Sequence, residues 1–348
     1  MVGACVAREV SSKGLKVALI ERGEFGQATS ANSLQILHGG LRYLKRLDLY
    51  HAYHYVKEQR AWVEASPTLI RPLRCEVALG SKFNWRHAVY FCGLQFYNLL
   101  CWNRNRGFSA NKKLPSAGLT RSGVAYWYDL QMTDPVALVR TITEQAGRQG
   151  ALLIKRREVT DGSVDGQTRS LVCRDRETGA QDEVRASVVV TAVGPATNRI
   201  LRTFGAPPSR VHWIQGINAL FDLPAGPSAL ARKGKSGRMF LLTPLGNQTL
   251  VGTGQFPLHT DPENWRAEAL DPEAFLSELQ QIFPRLKGLT PVQLYRGLIP
   301  THASSTPLQR DVLLDHAHDH RLIALIACKF TSARWLAERA TDAVLKAL

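Results

Sequence analysis

The chain has no apolar run near the roughly 18–20 residues that a helix needs to cross a bilayer, and its opening residues lack the layout of a signal peptide. Its six cysteines (Cys5, Cys75, Cys92, Cys101, Cys173 and Cys328) make neither a C-x-x-C pair nor a zinc spacing. They read as reduced, mostly buried thiols of a cytoplasmic protein, and no metal site is expected. No helix-turn-helix, zinc-finger or RNA-binding strand signature is present, which argues against nucleic acid as a partner. Internal repeats and low-complexity linkers are absent too. Acidic residues are in short supply: 29 Asp and Glu against 44 Lys and Arg leave a net charge of +15. That surplus points instead to a small anionic substrate or an anionic membrane surface.

What is present suits a globular protein. The 348 residues are 45% hydrophobic and 21% charged, enough for one large or two intermeshed domains. The densest signal runs from Gly14 to Tyr43. An apolar strand, Val17 to Ile20, ends on Glu21, and a Ser/Thr/Gly-rich segment leads on to His38, Gly39, Gly40 and Arg42. A carboxylate at the tip of a second strand is where a dinucleotide-binding fold holds the adenosine ribose, through both hydroxyls. Small hydroxyl residues beyond it can lie along a pyrophosphate. The glycine fingerprint expected before such a strand is incomplete. With a helix at Ala4–Lys13, Gly3 takes the third glycine of G-x-G-x-x-G, and the first two glycines and first strand are missing. The expectation is a chain shortened at its amino end, or alternatively a divergent protein that begins there.

Further elements follow from periodicity and punctuation. Helices are predicted at 45–65, 134–150 (with Asp134-Pro135 at its start), 271–283 and 335–348. Buried parallel strands are predicted at 187–192 and 322–327, the first ending in the turn Val193-Gly194-Pro195. Antiparallel strands are predicted at 211–223 and 238–254, a strand near 75–79, and a small antiparallel element from 156–159 and 171–174. The fold class is therefore α/β: a Rossmann-like dinucleotide-binding domain lacking its first strand, with a discontinuous, mainly antiparallel α+β substrate domain. The division is 1–44, 130–205 and 290–348 for the first, and 45–129 and 206–289 for the second. The aromatic-rich segment Val89–Trp102 with its cationic flank reads either as a helix buried in the second domain or as an interfacial helix on the inner face of the cytoplasmic membrane.

The series ATSANSLQILHGGLRYL, TLIRPL, SVVVTAVGPATNRIL and CKFTSAR before a terminal helix resembles FAD-dependent glycerol-3-phosphate dehydrogenases. More broadly it is similar to the D-amino-acid-oxidase-like flavoenzymes, over nearly the whole chain. The resemblance implies FAD as cofactor. Glu21 would bind its ribose, Thr29, Ser30 and Ser33 would line pyrophosphate and flavin, and Val159 would face the adenine through its backbone. Gly3, Gly39, Gly40 and Gly194 would allow close approach, and Lys329 and Thr331 would sit beside the flavin ring. His38, Arg42, Tyr43, Arg310 and Lys329 would form the catalytic set. A quinone or oxygen would take the electrons.

Three departures bear on the substrate. The family's arginine in G-x-R-P-L is Ile299, with Arg296 three positions earlier; the histidine of G-S-H is Asn218; and G-T-T-D reads Gly252-Thr253-Gly254-Gln255. Two alternatives to an oxidation of glycerol 3-phosphate remain: an amino-acid or hydroxy-acid oxidase or dehydrogenase, and a truncated non-catalytic remnant. His316, His318 and His320 alternate along a polar turn, the pattern of solvated side chains.

Overall fold

The structure is a computed structural model describing residues 1–44, 47–80, 85–105, 113–235, 237–267, 270–302, 310–315 and 321–348. The alternating histidines 316, 318 and 320 lie outside the described residues.

The strand before Glu21 forms at Ala18–Ile20 and pairs in parallel with Leu152–Ile154. A second parallel pair joins Val189–Thr191 to Leu322–Ile326, whose other edge takes Val312–Asp315 antiparallel. The two patches are not hydrogen-bonded to one another, so Ala18–Ile20 and Val189–Thr191 each keep one free edge among the described residues. Gly3 lies between them: a Cβ there would sit 3.4 Å from Leu19 Cδ1 and 3.7 Å from Ala192 Cβ. Both are ordinary van der Waals distances, so the packing of helix on strand does not by itself demand glycine at this position.

Three helices cover these patches: Val2–Ser12, Pro135–Arg148 and Ala333–Ala347. Cys5, Leu138, Ile142, Leu336 and Ala340 pack with Ile323 and Leu325 of the second patch. Each leucine and isoleucine among them contributes about 1.5–3 kcal/mol by leaving water. The start of the middle helix follows its sequence cue, with Pro135 in the first turn and Asp134 accepting from Val136 N and Ala137 N at 2.8 and 2.9 Å. The helix expected from residue 45 begins at Leu49, because Asp48 caps it by accepting from His51 N at 3.2 Å.

A nine-stranded sheet makes up the other half. Its order is Gln293–Thr301, His212–Phe221, Gln248–Pro257, Met239–Leu245, Ala229–Lys233, Ile70–Ala78, Val124–Met132 and Ile36–Leu37, with Gly118–Leu119 also on Val124–Met132. All its pairings are antiparallel except that of Ala229–Lys233 with Ile70–Ala78. The strand expected near 75–79 therefore begins earlier, and the run expected over 238–254 is a hairpin turning at Gly246, where φ is +59°. Gln293–Thr301 and Ile36–Leu37 belong to this sheet by their pairing. The small antiparallel element has three strands, Arg157–Asp165, Thr168–Asp175 and Gln181–Ala186.

Helix Trp85–Asn105 has two apolar faces. Leu94, Tyr97 and Cys101 are buried, whereas Trp85, Val89, Phe96, Leu99 and Trp102 are exposed.

Candidate active site

His38 follows the short strand Ile36–Leu37, at the margin of the large sheet. Its Nδ1 lies 3.0 Å from Asp129 Oδ2, on the neighbouring strand. Gly39 N donates to Asp129 Oδ1 at 2.7 Å, Gln59 Nε2 to the same oxygen at 3.3 Å, and Trp127 Nε1 to Oδ2 at 3.3 Å. Burial alone pushes the Asp129 carboxyl up, but the donors from His38, Gly39 and Trp127 outweigh it and hold its pKa below the ordinary value. The His38 side chain is 40% exposed and that of Asp129 5%, so the pair offers one imidazole edge outward from a buried anchor. Glycine at 39 is required by the protein itself: a Cβ there would run into the Tyr97 hydroxyl and the Gln59 amide. Gly40 adopts φ +82°, and a side chain would press on Tyr55 and Ala52.

Lys329 approaches from the other half, on the turn after Leu322–Ile326. Its ammonium donates to Tyr43 Oη at 2.9 Å and lies over the rings of Tyr43 and Tyr55, 4.4 and 4.7 Å from their centroids. Burial is the main cause of its lowered pKa, and the charge of Arg42 lowers it further, against Cys328, Asp311 and Asp129, which raise it. Burial also pushes the Tyr43 phenol up to about 12. The turn is held by Asp311, which accepts from Cys328 N at 2.7 Å, and by Trp62 Nε1, which donates to Thr331 O at 2.9 Å. Arg42 is exposed on the short helix Leu41–Leu44. Arg310, its side chain 67% exposed, pairs with Asp48 at 3.0 Å.

At the nucleotide end, Glu21 N bonds Ile154 O at 2.9 Å and its carboxylate accepts from Gly23 N at 2.9 Å. Thr29 and Ser30 form a 3₁₀ turn, Ala28–Ser30, and Ser30 Oγ accepts from the Met1 amine at 3.3 Å. Ser33 Oγ accepts from Gln35 N at 3.3 Å. Gly297 of the large sheet faces this turn, a Cβ there lying 3.4 Å from Thr29 Cγ2. The Val159 carbonyl accepts from Arg199 Nη1 at 2.7 Å. Gly194 opens its turn at φ +59°, in open space. Thr331 Oγ1 is buried without a partner among the described residues. An orphaned hydroxyl two residues from Lys329, and a carboxylate at a strand tip followed in the chain by Thr29, Ser30 and Ser33, suit a dinucleotide cofactor such as FAD.

The departures have physical consequences. Asn218 bonds Asn32 O through Nδ2 at 3.0 Å and accepts from Thr253 Oγ1 at 2.7 Å, tying the sheet to the Thr29–Ser33 segment. Ile299 fills the space over Gly216. Alternation along Gln293–Thr301 turns Arg296 away from the face that carries Gly297 and Ile299, and its guanidinium reaches Leu270 O at 3.4 Å. That strand therefore gives the site no cation. Sequence reasoning missed Asp129, Gln59 and Trp127. The available signal was an aspartate inside an apolar strand run, a place where that residue is disfavoured. Among the described residues no group of acidic, histidine or cysteine side chains has a metal-binding arrangement.

A model of the family described as FAD dependent oxidoreductase (DAO) matches residues 1–343. The chain is 28% identical to the mitochondrial glycerol-3-phosphate dehydrogenase SDP6 of Arabidopsis thaliana, covering 99% of itself and 59% of that protein. It is 23% identical to the aerobic glycerol-3-phosphate dehydrogenase of Staphylococcus haemolyticus, covering 100% of itself and 66% of the relative. It thus spans about three fifths of the length of these relatives. The glycerol-3-phosphate dehydrogenase from Bacillus halodurans complexed with FAD matches the fold at TM-score 0.70 and 20% identity, over 99% of this chain and 62% of that one. Glycine oxidase from Geobacillus kaustophilus matches at 0.68 and 18%, over 99% and 92%.

Proposed function

Because the chain belongs to the FAD-dependent oxidoreductase (DAO) family, we propose that it oxidises the secondary alcohol of a small anionic substrate resembling glycerol 3-phosphate. The observation that carries this reading is the His38–Asp129 pair, an imidazole presented outward from a buried carboxylate. Glu21 would hold the FAD ribose, with Thr29, Ser30 and Ser33 along the pyrophosphate. Gly3, Val159 and Gly194 would border the adenosine side, and Gly39, Gly40, Thr331 and Lys329 the ring. When bound, the flavin supplies the acceptor for a hydride from the alcohol carbon and passes the electrons to a quinone or oxygen. His38 Nε2 takes the hydroxyl proton. Lys329 stays in place on Tyr43 and stabilises negative charge that develops beside it. Arg42 binds the anionic end of the substrate, and Arg310 adds a cation at the rim beside Asp48.

Ile299 favours a second reading, in which Arg42 grips the carboxylate of an amino or hydroxy acid. Anaerobic mixing of the FAD-loaded protein with glycerol 3-phosphate, glycine and lactate at equal concentration separates the two. Bleaching of the flavin band by the phosphate alone supports the first reading, and bleaching by the carboxylates alone replaces it. A protein that stays colourless in excess FAD removes both.

Electron delivery to a quinone requires a membrane. No helix among the described residues is long and apolar enough to cross one. The exposed stripe Trp85, Val89, Phe96, Leu99 and Trp102 recurs at helical spacing on Trp85–Asn105, and the sequence places Lys82, Arg86, Arg104 and Arg106 at its ends. Apolar side chains flanked by cations suit the surface of an anionic bilayer. Co-sedimentation with phosphatidylglycerol vesicles, lost on Trp102→Glu with Leu99→Glu, is expected; equal sedimentation of the double variant would contradict it.

A further inference from the structure

Four donors surround the two oxygens of Asp129, and three of them have no choice of role. The Gly39 amide, the Gln59 amide nitrogen and the Trp127 indole can only donate. With its pKa held below the ordinary value, Asp129 is ionised and can only accept. The fourth contact, His38 Nδ1 at 3.0 Å from Oδ2, must then be an N–H donating to a carboxylate. A neutral imidazole has one such proton, so Nε2 is left with its lone pair. We propose that Asp129 is a positioning residue for the oxidation. It fixes His38 in the tautomer whose Nε2 accepts the substrate hydroxyl proton, and it stabilises the imidazolium that results. This inference rests on the assignment of His38 as the base.

The surroundings make the arrangement rigid. Gln59 is buried on helix Leu49–Ala65 and also donates to Leu37 O at 2.7 Å, so one amide locks the strand before His38 and the carboxylate behind it. Asp129 is fixed in register with the neighbouring strands, opposite Leu73. Lys329 and Arg42 supply the positive charges of the same neighbourhood. Asp311 and Asp129 oppose those charges, and Asp129 acts on the reaction through His38 without touching substrate.

Asp129→Asn keeps the volume but adds an NH₂ that can donate to Nδ1, which moves the imidazole proton to Nε2. Nitrogen-15 spectra of histidine-labelled protein, with the His38 signal assigned by its loss in His38→Ala, read the tautomer directly at a pH where the ring is neutral. The expected result is an Nδ1–H tautomer in the native chain and an Nε2–H tautomer in Asp129→Asn. In stopped-flow flavin reduction the same variant should lose about 10²–10⁴ in rate with KM and FAD binding changed less than about threefold. Asp129→Asn added to His38→Ala should cost nothing further, since both act on one proton transfer. Full-rate reduction by His38→Ala would remove the base and this proposal with it. A slow His38→Ala beside a full-rate Asp129→Asn, or an unchanged tautomer, would overturn the role of Asp129 alone.

Discussion

The two halves of the molecule hold their functional residues by different means. The parallel strands are three to five residues long, lie in two unconnected patches, and depend on the helices packed over them. The mainly antiparallel sheet is continuous through nine strands and holds Asp129 on the strand bonded to the one that leads into His38. Residues on the parallel side therefore lie at strand tips and turns, as Glu21 and Lys329 do, where backbone can approach a ligand. Those on the antiparallel side are locked by lateral hydrogen bonds, which suits a group that must keep one orientation. In the proposed reaction the strand tips of the parallel side hold the FAD ribose and the sheet holds the base.

The joint between the halves is the first place to break the comparison. Trp62 is fully buried among the parallel-side helices and donates to Thr331 O at 2.9 Å. Trp62→Ala should destabilise the fold by about 3–5 kcal/mol, measured by denaturant unfolding, and should loosen Lys329 so that FAD affinity falls too. Unchanged flavin affinity in the folded variant would show that the Lys329 turn does not depend on this joint.

Glu58 sits at the same joint with a side chain 1% exposed, 3.5 Å from Arg334. Burial pushes its carboxyl up to about 7, with Arg334 opposing. A pKa raised in the folded state favours folding while the group is protonated, so the contribution is present at acid pH and is lost as pH rises from about 4.5 through 7. The loss amounts to ~3 kcal/mol. Glu58→Gln should match the native chain near pH 4.5 and exceed its stability at pH 8, as read from thermal melts across pH.

Glu21→Gln sharpens the contrast, because the amide oxygen can still accept from Gly23 N while the charge offered to the ribose is lost. Removing one charge-assisted hydrogen bond should weaken FAD binding by about 1.5–3 kcal/mol while leaving the melting temperature of the FAD-free protein unchanged. The smallest effect is expected at Arg310→Ala. Its exposed pair with Asp48 should contribute about 0–1 kcal/mol to stability, so a larger loss in kcat/KM would mark it as a substrate contact.

Much of this was legible in the residues. The strand ending at Glu21, the Asp134-Pro135 helix start and the buried strand before Lys329 followed from local patterns, because capping and burial are local physics. The parallel pairing of Ile70–Ala78 with Ala229–Lys233 was not, since it joins segments over a hundred residues apart. For the same reason Asp129 was missed: its meaning comes from His38, 91 positions away. Gly39 was assigned to the cofactor from the motif alone, whereas Tyr97 and Gln59 already demand a glycine there.

The central claim is that the imidazole of His38 removes the alcohol proton on a scaffold that binds FAD without its help. Anaerobic stopped-flow reduction of FAD-loaded His38→Gln by glycerol 3-phosphate tests it most directly. The account predicts a yellow protein with native flavin content whose bleaching is slowed about 10²–10⁴-fold. A variant that bleaches at the native rate would contradict it.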